Sequence, residues 1–339
     1  MDENHNELGK REIVSRLNEL EARILRIEKG LNIDYLPDDK DSTIKPGEET
    51  RKISDETILE SVIGESVLAW LGNIVLFFGL SFLIQYIQNS GYQLASSVFG
   101  YISVAGIFVL AHFLKRNNPK MASIFNLNAY LLLFYVTLRL HFYTVSPVVS
   151  SKAIGLTLLT IVSVIQLFFS VKRKSLLQTG TALLLLSIVA IVSDTTHFML
   201  PMAAVIATIS VVFLYRFGWI RIVYLSIILV YLINLFWFFN NPIMGNPLQA
   251  IKIHNLGFIY LFAIGGLYSL IALINKSELF SKSGIISAII LNGLGFSTLL
   301  LLNVMTFFPD NYVLLIGSIS AFCLLYSVLL QIRSNWKIL

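Results

Sequence analysis

Long, uninterrupted apolar segments dominate the chain from Val67 onward. The first, Val67 to Ile87, has no formal charge, and its length of about twenty residues is what an α-helix needs to cross about 30 Å of hydrocarbon. Such runs are too long for the alternating strands of a membrane β-barrel. We therefore predict an all-α, polytopic transmembrane helical bundle of about ten spans. The predicted spans are Val67–Ile87, Leu94–Leu114, Met121–Tyr143, Val148–Val171, Ser175–Val192, Phe198–Phe217, Ile220–Phe239, Ile253–Ile274, Gly284–Thr306 and Tyr312–Ile332.

Residues 1–33 follow a different periodicity. Apolar residues recur there at alternating spacings of four and three, with charged residues between them, which is typical of a coiled-coil seam. The seam residues are Ile13, Leu17, Leu20, Ile24, Ile27 and Leu31. We predict a short cytoplasmic coiled-coil helix that joins copies of the chain or binds a partner coiled coil, because attachment to a membrane raises the effective concentration of such segments. The alternative is an amphipathic helix that folds back on the cytoplasmic face of the same chain.

Residues 34–55 connect this helix to the apolar region. They contain few apolar residues and many Pro, Gly and charged residues, so they bury too little surface to order themselves and are predicted to be a flexible linker. Ser54 is a candidate helix N-cap, and the amphipathic segment Glu56–Ser66 is predicted to be an interfacial helix. The predicted organisation is therefore a coiled coil over 1–33, a linker over 34–55, and an interfacial helix plus ten-span bundle over 56–339.

Basic residues are concentrated in alternate loops between the predicted spans. The loops KRNNPK and VKRKS are rich in Lys and Arg, whereas QNSGYQ, SDTTH and FFPDN have none. Only Arg139, Lys152 and Lys252 depart from this alternation. The positive-inside rule then predicts both termini in the cytoplasm and the loops without Lys or Arg outside. The net charge of +5 is explained by these loops and does not indicate nucleic-acid binding.

The first three predicted spans carry a pattern that resembles a known family. A coiled coil leads into a span with Trp-Leu-Gly at 70–72, Gly79 and Tyr86, followed by the turn Asn89–Tyr92, a basic KRNNPK turn and a third span that ends in LLFYVTL. This resembles the bacterial "predicted membrane protein" families, which are known as domains of unknown function with an N-terminal coiled coil and many spans. The resemblance implies a protein of the bacterial cytoplasmic (inner) membrane. It carries no functional residues over.

Charged and titratable residues near the outward ends of the spans form a candidate polar pocket. Its members are Arg139, His141, Asp194, His197 and His254. Charged groups inside a span usually face a bundle interior, a partner or the interface. In the functional interpretation Arg139 binds an anion such as a phosphate or carboxylate, with Asp194 as its resting partner. The alternative is that these side chains only extend towards the lipid headgroups.

Amides and glycines inside the spans have a structural interpretation. Amides within spans commonly form hydrogen bonds between helices, so we expect interhelical bonds from Asn73, Asn126, Asn128, Gln166, Asn234, Asn292 and Asn303. Small residues allow close helix packing. Gly72 and Gly79 therefore predict where a neighbouring helix approaches the first span.

Catalytic motifs are lacking from the sequence. It has no G-x-x-x-x-G-K-[ST], H-E-x-x-H, C-x-x-C or G-x-S-x-G, so we expect no catalytic residue, cofactor or metal ion. The favoured hypothesis is a non-enzymatic scaffold or envelope-complex component that oligomerises through residues 1–33. The alternative is a transporter or flippase of an anionic or lipid-like substrate that uses the polar cluster around Arg139. An enzyme acting on a lipid has the least support.

Overall fold

The computed structural model describes residues 49–144, 146–251, 257–273 and 282–334. The predicted coiled-coil seam, the linker up to residue 48 and His254 lie outside the described residues. The chain divides into two compact units, Met1–Val62 and Ile63–Leu339, of which the second contains the predicted spans.

The described residues form ten α-helices and no strand. The helices are α1 Glu49–Asn89, α2 Gln93–Asn117, α3 Pro119–Arg139, α4 Lys152–Lys172, α5 Leu176–Ser193, α6 Thr196–Phe217, α7 Ile220–Phe238, α8 Gly257–Leu273, α9 Lys282–Phe307 and α10 Tyr312–Ser334, with a short 3-10 turn at Pro242–Met244 between α7 and α8. This confirms the prediction of an all-helical bundle.

Eight segments of these helices are long and apolar enough to cross a membrane. They lie in α1 to α7 and in α9, where the qualifying segments of α1 and α9 are Val67–Asn89 and Gly284–Phe307. The apolar segments of α8 and α10, Gly257–Ala272 and Ile319–Val328, are shorter. The described part of the chain therefore has eight candidate spans, and the predicted total of about ten stays a prediction.

Helix α1 begins earlier than the sequence pattern indicates. It starts at Glu49, so residues 49–55 of the predicted linker are helical, and the predicted interfacial segment and first span belong to one helix. The last residues before it that disfavour a helix are Pro46 and Gly47, and the next glycine is Gly64. A single glycine lowers helix propensity by about 1 kcal/mol but does not by itself end a helix.

The tight turn in RFGWIR separates α6 from α7. Helix α6 ends at Phe217, and Gly218 adopts a φ of 70° with its backbone N–H bonded to the carbonyl of Leu214. Glycine adopts this left-handed conformation without steric penalty, which is why it commonly follows the last residue of a helix. Helix α7 then begins at Ile220, so two separate helices result.

Three hydrophobic clusters hold the bundle together. The largest is built mainly from α5, α6, α7, α8 and α9. A second joins α1, α2 and α3 around Ile84, Leu132 and Val136, and a third joins α3, α4 and α5 around Phe134 and Leu159. Helix α5 is the most enclosed candidate span, because 72% of its apolar stretch is buried inside the bundle. Helix α1 is the least enclosed, with 17% of its apolar stretch buried.

Candidate functional site

Four connections between helices are linked by polar contacts at one end of the bundle. They are the end of α1 with its turn at 88–92, the end of α3 with the α3–α4 loop at 139–151, the α5–α6 turn at 194–195 and the α7–α8 loop at 239–251. We call this set the loop cluster. It contains the candidate site residues Arg139, His141 and Asp194, and His197 follows it directly in the first turn of α6.

Arg139, the last residue of α3, is bonded to α1. Its Nε donates to Gln88 Oε1 at 2.7 Å, and its Nη1 donates to the carbonyl oxygen of Tyr143 at 2.8 Å. The amide of Gln88 is buried and donates in turn to Thr144 Oγ1 at 2.9 Å. Hydrogen bonds that involve a charged group are stronger than neutral ones. Arg139 therefore ties the end of α1 to α3 and to the loop that follows α3.

His141 lies in the α3–α4 loop and packs on α4. Its Nδ1 is 2.7 Å from the carbonyl oxygen of Val149, and because a carbonyl oxygen only accepts, Nδ1 carries the proton. A Cβ added to Gly155 of α4 would lie 2.9 Å from His141 Cβ. The absence of a side chain at Gly155 thus creates the space that His141 fills.

Asp194 follows α5 and is held by two asparagines of the α7–α8 loop. Asn241 Nδ2 donates to Asp194 Oδ1 at 2.8 Å, and Asn246 Nδ2 lies 3.0 Å from Oδ1 and 3.1 Å from Oδ2. Asn241 Nδ2 also donates to the carbonyl oxygen of Ile191 at 2.7 Å. Asp194 has a φ of 49°, a left-handed conformation that Asp and Asn adopt more readily than most other residues. Both carboxylate oxygens therefore accept hydrogen bonds from the same chain.

One contact connects the Arg139 part of the loop cluster to the Asp194 part. The hydroxyl of Tyr143 donates to Met244 Sδ at 3.4 Å, and Met244 lies in the 3-10 turn between Asn241 and Asn246. The α7–α8 loop bends sharply here, with a φ of 52° at Asn241 and 87° at Gly245. The bend brings both asparagines to the same carboxylate.

The structure gives Arg139 and Asp194 different partners. In the described part of the chain the contacts of Arg139 go to Gln88 and Tyr143, so the predicted Arg139–Asp194 pair is not among them. His254 lies outside the described residues. The pocket as a whole therefore stays a prediction.

The partners that sequence reasoning missed are neutral amides. Gln88, Asn241 and Asn246 carry no charge and belong to no motif, and they lie 51, 47 and 52 residues away from the charged groups that they bind. The one usable signal was their position, because each amide flanks an apolar segment on the side of the bundle that has few basic residues.

Four of the predicted amides inside the spans do bond between helices. Asn128 of α3 donates to the side-chain oxygen of Asn73 in α1 at 2.8 Å, and Gln166 of α4 donates to Thr181 Oγ1 in α5 at 3.1 Å. Asn292 of α9 accepts from the Tyr231 hydroxyl of α7 at 2.5 Å and donates to a carbonyl oxygen of α8 at 3.2 Å. These contacts confirm the prediction for Asn73, Asn128, Gln166 and Asn292.

The prediction is wrong for the other three amides. Asn126, Asn234 and Asn303 each donate to the carbonyl oxygen four residues earlier in their own helix, at 2.7, 2.9 and 2.7 Å. Asparagine side chains compete for nearby backbone groups in this way. A partner within the same helical turn is thus sufficient for these donors.

Among the residues that the structure describes, no group of three or more His, Cys, Asp or Glu side chains is placed to hold a metal ion. Cys323, the single cysteine of the sequence, is exposed on α10.

These features define the class of protein. Within the described ranges, eight helices are long and apolar enough to span a membrane, and large apolar side chains such as Leu68 and Phe113 are exposed on their outer faces. Exposed apolar surface of this extent requires a lipid environment. The chain is a multipass helical membrane protein in contact with the lipid bilayer. No protein-family model, curated protein or solved structure matches it.

Proposed function

We propose that the chain is a non-enzymatic scaffold or envelope-complex component of the bacterial cytoplasmic membrane. In this proposal it crosses the membrane ten times and has both termini in the cytoplasm. Residues 1–33 form a coiled coil through which it joins further copies or a partner. The loop cluster then faces outward.

The observation that carries this proposal is the engagement of both charges of the loop cluster by the chain itself. Arg139 donates from Nε to Gln88 and from Nη1 to the carbonyl oxygen of Tyr143. Asp194 accepts from two asparagine amides. Each bond to a charged group contributes about 1.5–3 kcal/mol when its partner is properly placed. These contacts commit two of the five N–H groups of Arg139 and both oxygens of Asp194 to the chain, so they favour a structural role in fixing the loops.

The distribution of basic residues supports the proposed orientation. Lys172, Arg173 and Lys174 are exposed in the α4–α5 turn, at the end of α5 opposite Asp194. The side chain of Ser175 caps α5 beside them by accepting from the backbone N–H of Gln178. Exposed basic residues in short loops usually remain on the cytoplasmic side.

The test compares two variants in a strain that lacks the gene. Deletion of residues 2–33 removes the predicted coiled coil, whereas Arg139→Ala removes the charge of the candidate pocket. We expect the deletion to abolish complementation of the envelope defect and Arg139→Ala to weaken it only as far as protein abundance falls. The opposite result, a harmless deletion together with an inactive but abundant Arg139→Ala variant, would refute the scaffold proposal.

A second candidate function is transport of an anionic or lipid-like substrate, and one observation favours it. The side-chain oxygens Gln166 Oε1 of α4 and Gln178 Oε1 of α5 are buried without a hydrogen-bond partner among the described residues. A buried acceptor without a partner costs about 1–3 kcal/mol, and a passing polar substrate or water would satisfy both atoms. Gln178 Nε2 lies 3.3 Å from Ser123 Oγ, and Ser123 is exposed. This contact links Gln178 to the surface, and Thr181 joins the two glutamines by accepting from Gln166 Nε2 and donating to the carbonyl oxygen of Gln178.

Leucine at Gln166 separates the two candidate functions. A transporter that uses these acceptors loses complementation in the Gln166→Leu variant, while a scaffold keeps it because leucine fills a similar volume without an unpaired oxygen. Membrane abundance measured by immunoblot provides the control.

A further inference from the structure

One side of α1 has no partner within the described bundle. The side that faces the other helices carries Asn73, Phe77, Leu80 and Ile84, which bond to or pack against α2 and α3. The opposite side is continuous and apolar. It consists of Leu68, Gly72, Val75, Gly79, Phe82 and Tyr86, and its four larger side chains are between 64% and 71% exposed. We call this set the outer face of α1.

The two glycines of the outer face are not required by packing within the chain. A Cβ added to Gly72 or Gly79 would meet nothing within 4 Å. At Gly100 of α2, by contrast, an added Cβ would lie 2.7 Å from Val136 Cγ2, so that glycine serves the contact between α2 and α3. Glycine within a helix is less favourable than alanine by about 0.5–1 kcal/mol. Gly72 and Gly79 therefore lower the stability of α1 without a compensating contact in the monomer.

The spacing of the outer face matches a helix–helix contact. Its members follow one another at intervals of four, three, four, three and four residues, and the two glycines are seven residues apart. A repeat of 3.5 residues keeps a seam against a partner helix that crosses at about 20°. Glycines on such a seam let two backbones approach closely in a membrane.

We infer that the outer face of α1 binds the outer face of α1 in a second copy of the chain. Residues 1–48 lead directly into α1, and their seam from Ile13 to Leu31 has the same spacing of four and three. Pairing of that seam in parallel would hold two copies of α1 at a raised effective concentration. The outer face carries no charge, so two identical faces do not repel each other. The inference rests on the proposed self-association through residues 1–33 and adds a contact within the membrane.

Disulfide cross-linking of the full chain in native membranes tests the contact. In a Cys323→Ser background, Val75→Cys and Phe82→Cys place a thiol on the outer face. Leu294→Cys of α9 is the matched control, because Leu294 and Val75 are both 64% exposed. We expect an oxidant to give dimers at positions 75 and 82 in about tenfold higher yield than at position 294. Equal yields at 75 and 294 would overturn the inference.

Substitution of the glycines provides an independent readout. Gly79→Ile adds bulk only outside the monomer, and we expect it to lower the cross-link yield of Val75→Cys about tenfold. Gly106→Ile in α2 and Gly293→Ile in α9 are the controls, since an added Cβ meets nothing within 4 Å at these positions either. An unchanged yield in Gly79→Ile, or an equal loss in Gly106→Ile, would overturn the inference.

A thiol at Leu20 separates this inference from the proposed function. Dimers through Leu20→Cys without dimers through Val75→Cys would overturn the α1 contact and leave the proposed coiled coil in place. Dimers through Val75→Cys alone would support the α1 contact and refute association through residues 1–33. Cross-links at both positions would support both.

Discussion

Replacing Gln88 by leucine is expected to loosen the attachment of α1 to α3. The substitution keeps the approximate volume of a buried side chain but removes the acceptor of Arg139 Nε at 2.7 Å and the donor to Thr144 at 2.9 Å. Among the described residues, the guanidinium of Arg139 would keep its bond to the carbonyl oxygen of Tyr143. The end of α1 would then be held mainly by apolar contacts around Ile84.

The size of the effect is set mainly by these two bonds, because the third bond of Gln88, from Nε2 to the carbonyl oxygen of Arg139, is long at 3.4 Å. A bond to a charged group contributes about 1.5–3 kcal/mol and a neutral bond about 0.5–1.5 kcal/mol. Arg139 is half-buried, which places the loss towards the lower part of these ranges, and leucine retains the apolar packing of the glutamine stem. We therefore expect Gln88→Leu to lower the free energy of unfolding by about 2 kcal/mol.

A double-mutant cycle measures the pairwise contribution. The free energy of unfolding of wild type, Gln88→Leu, Arg139→Leu and the double variant would be measured by denaturant titration in detergent micelles. We expect a coupling energy of about 1–2 kcal/mol, within the range of residues that share a hydrogen-bond network. A coupling below about 0.5 kcal/mol would show that the two side chains act independently and would refute the assignment of Gln88 as the partner of Arg139.

Three further outcomes are expected. Asp194→Ala should lower the unfolding free energy by about 1–3 kcal/mol. The loss should be larger than in Asp194→Asn, because asparagine tolerates the left-handed backbone at this position. Equal losses in the two variants, measured by thermal unfolding, would contradict this. Tyr231→Phe removes the bond to Asn292 and should lower stability by about 0.6–1.7 kcal/mol, whereas no measurable change would argue against the bond. Alkaline phosphatase fused after Asp194 should be active outside the cytoplasm and a fusion after Arg173 inactive, and the reverse pattern would overturn the proposed orientation.

The sequence predicts the helices well because long apolar runs leave the backbone few alternatives within a membrane. Val67–Ile87 is helical throughout and extends to Asn89, and Gly218 divides RFGWIR as the turn requires. The helical start of α1 at Glu49 was not predicted, because the composition of residues 49–55 resembles a linker and contains no apolar periodicity.

The polar contacts were predicted less well, and the reason differs between Arg139 and the amides such as Asn234. Arg139 attracts notice because it is a charge beside an apolar run, but its partner Gln88 is 51 residues away and no local pattern encodes that pairing. For Asn234 the residue type leaves open whether the amide bonds to another helix or to its own carbonyl at Val230. Only the three-dimensional arrangement of neighbouring helices decides between these.

The two charges of the loop cluster acquire their partners at different times during synthesis. Gln88 precedes Arg139 in the chain, so the acceptor of the arginine is already made when the arginine leaves the ribosome. Asn241 follows Asp194 by 47 residues, and translation at about 5–20 residues per second delays it by roughly 2–10 s. During that interval the carboxylate lacks its amide donors, so the α5–α6 turn is held by these bonds only after the α7–α8 loop has been translated.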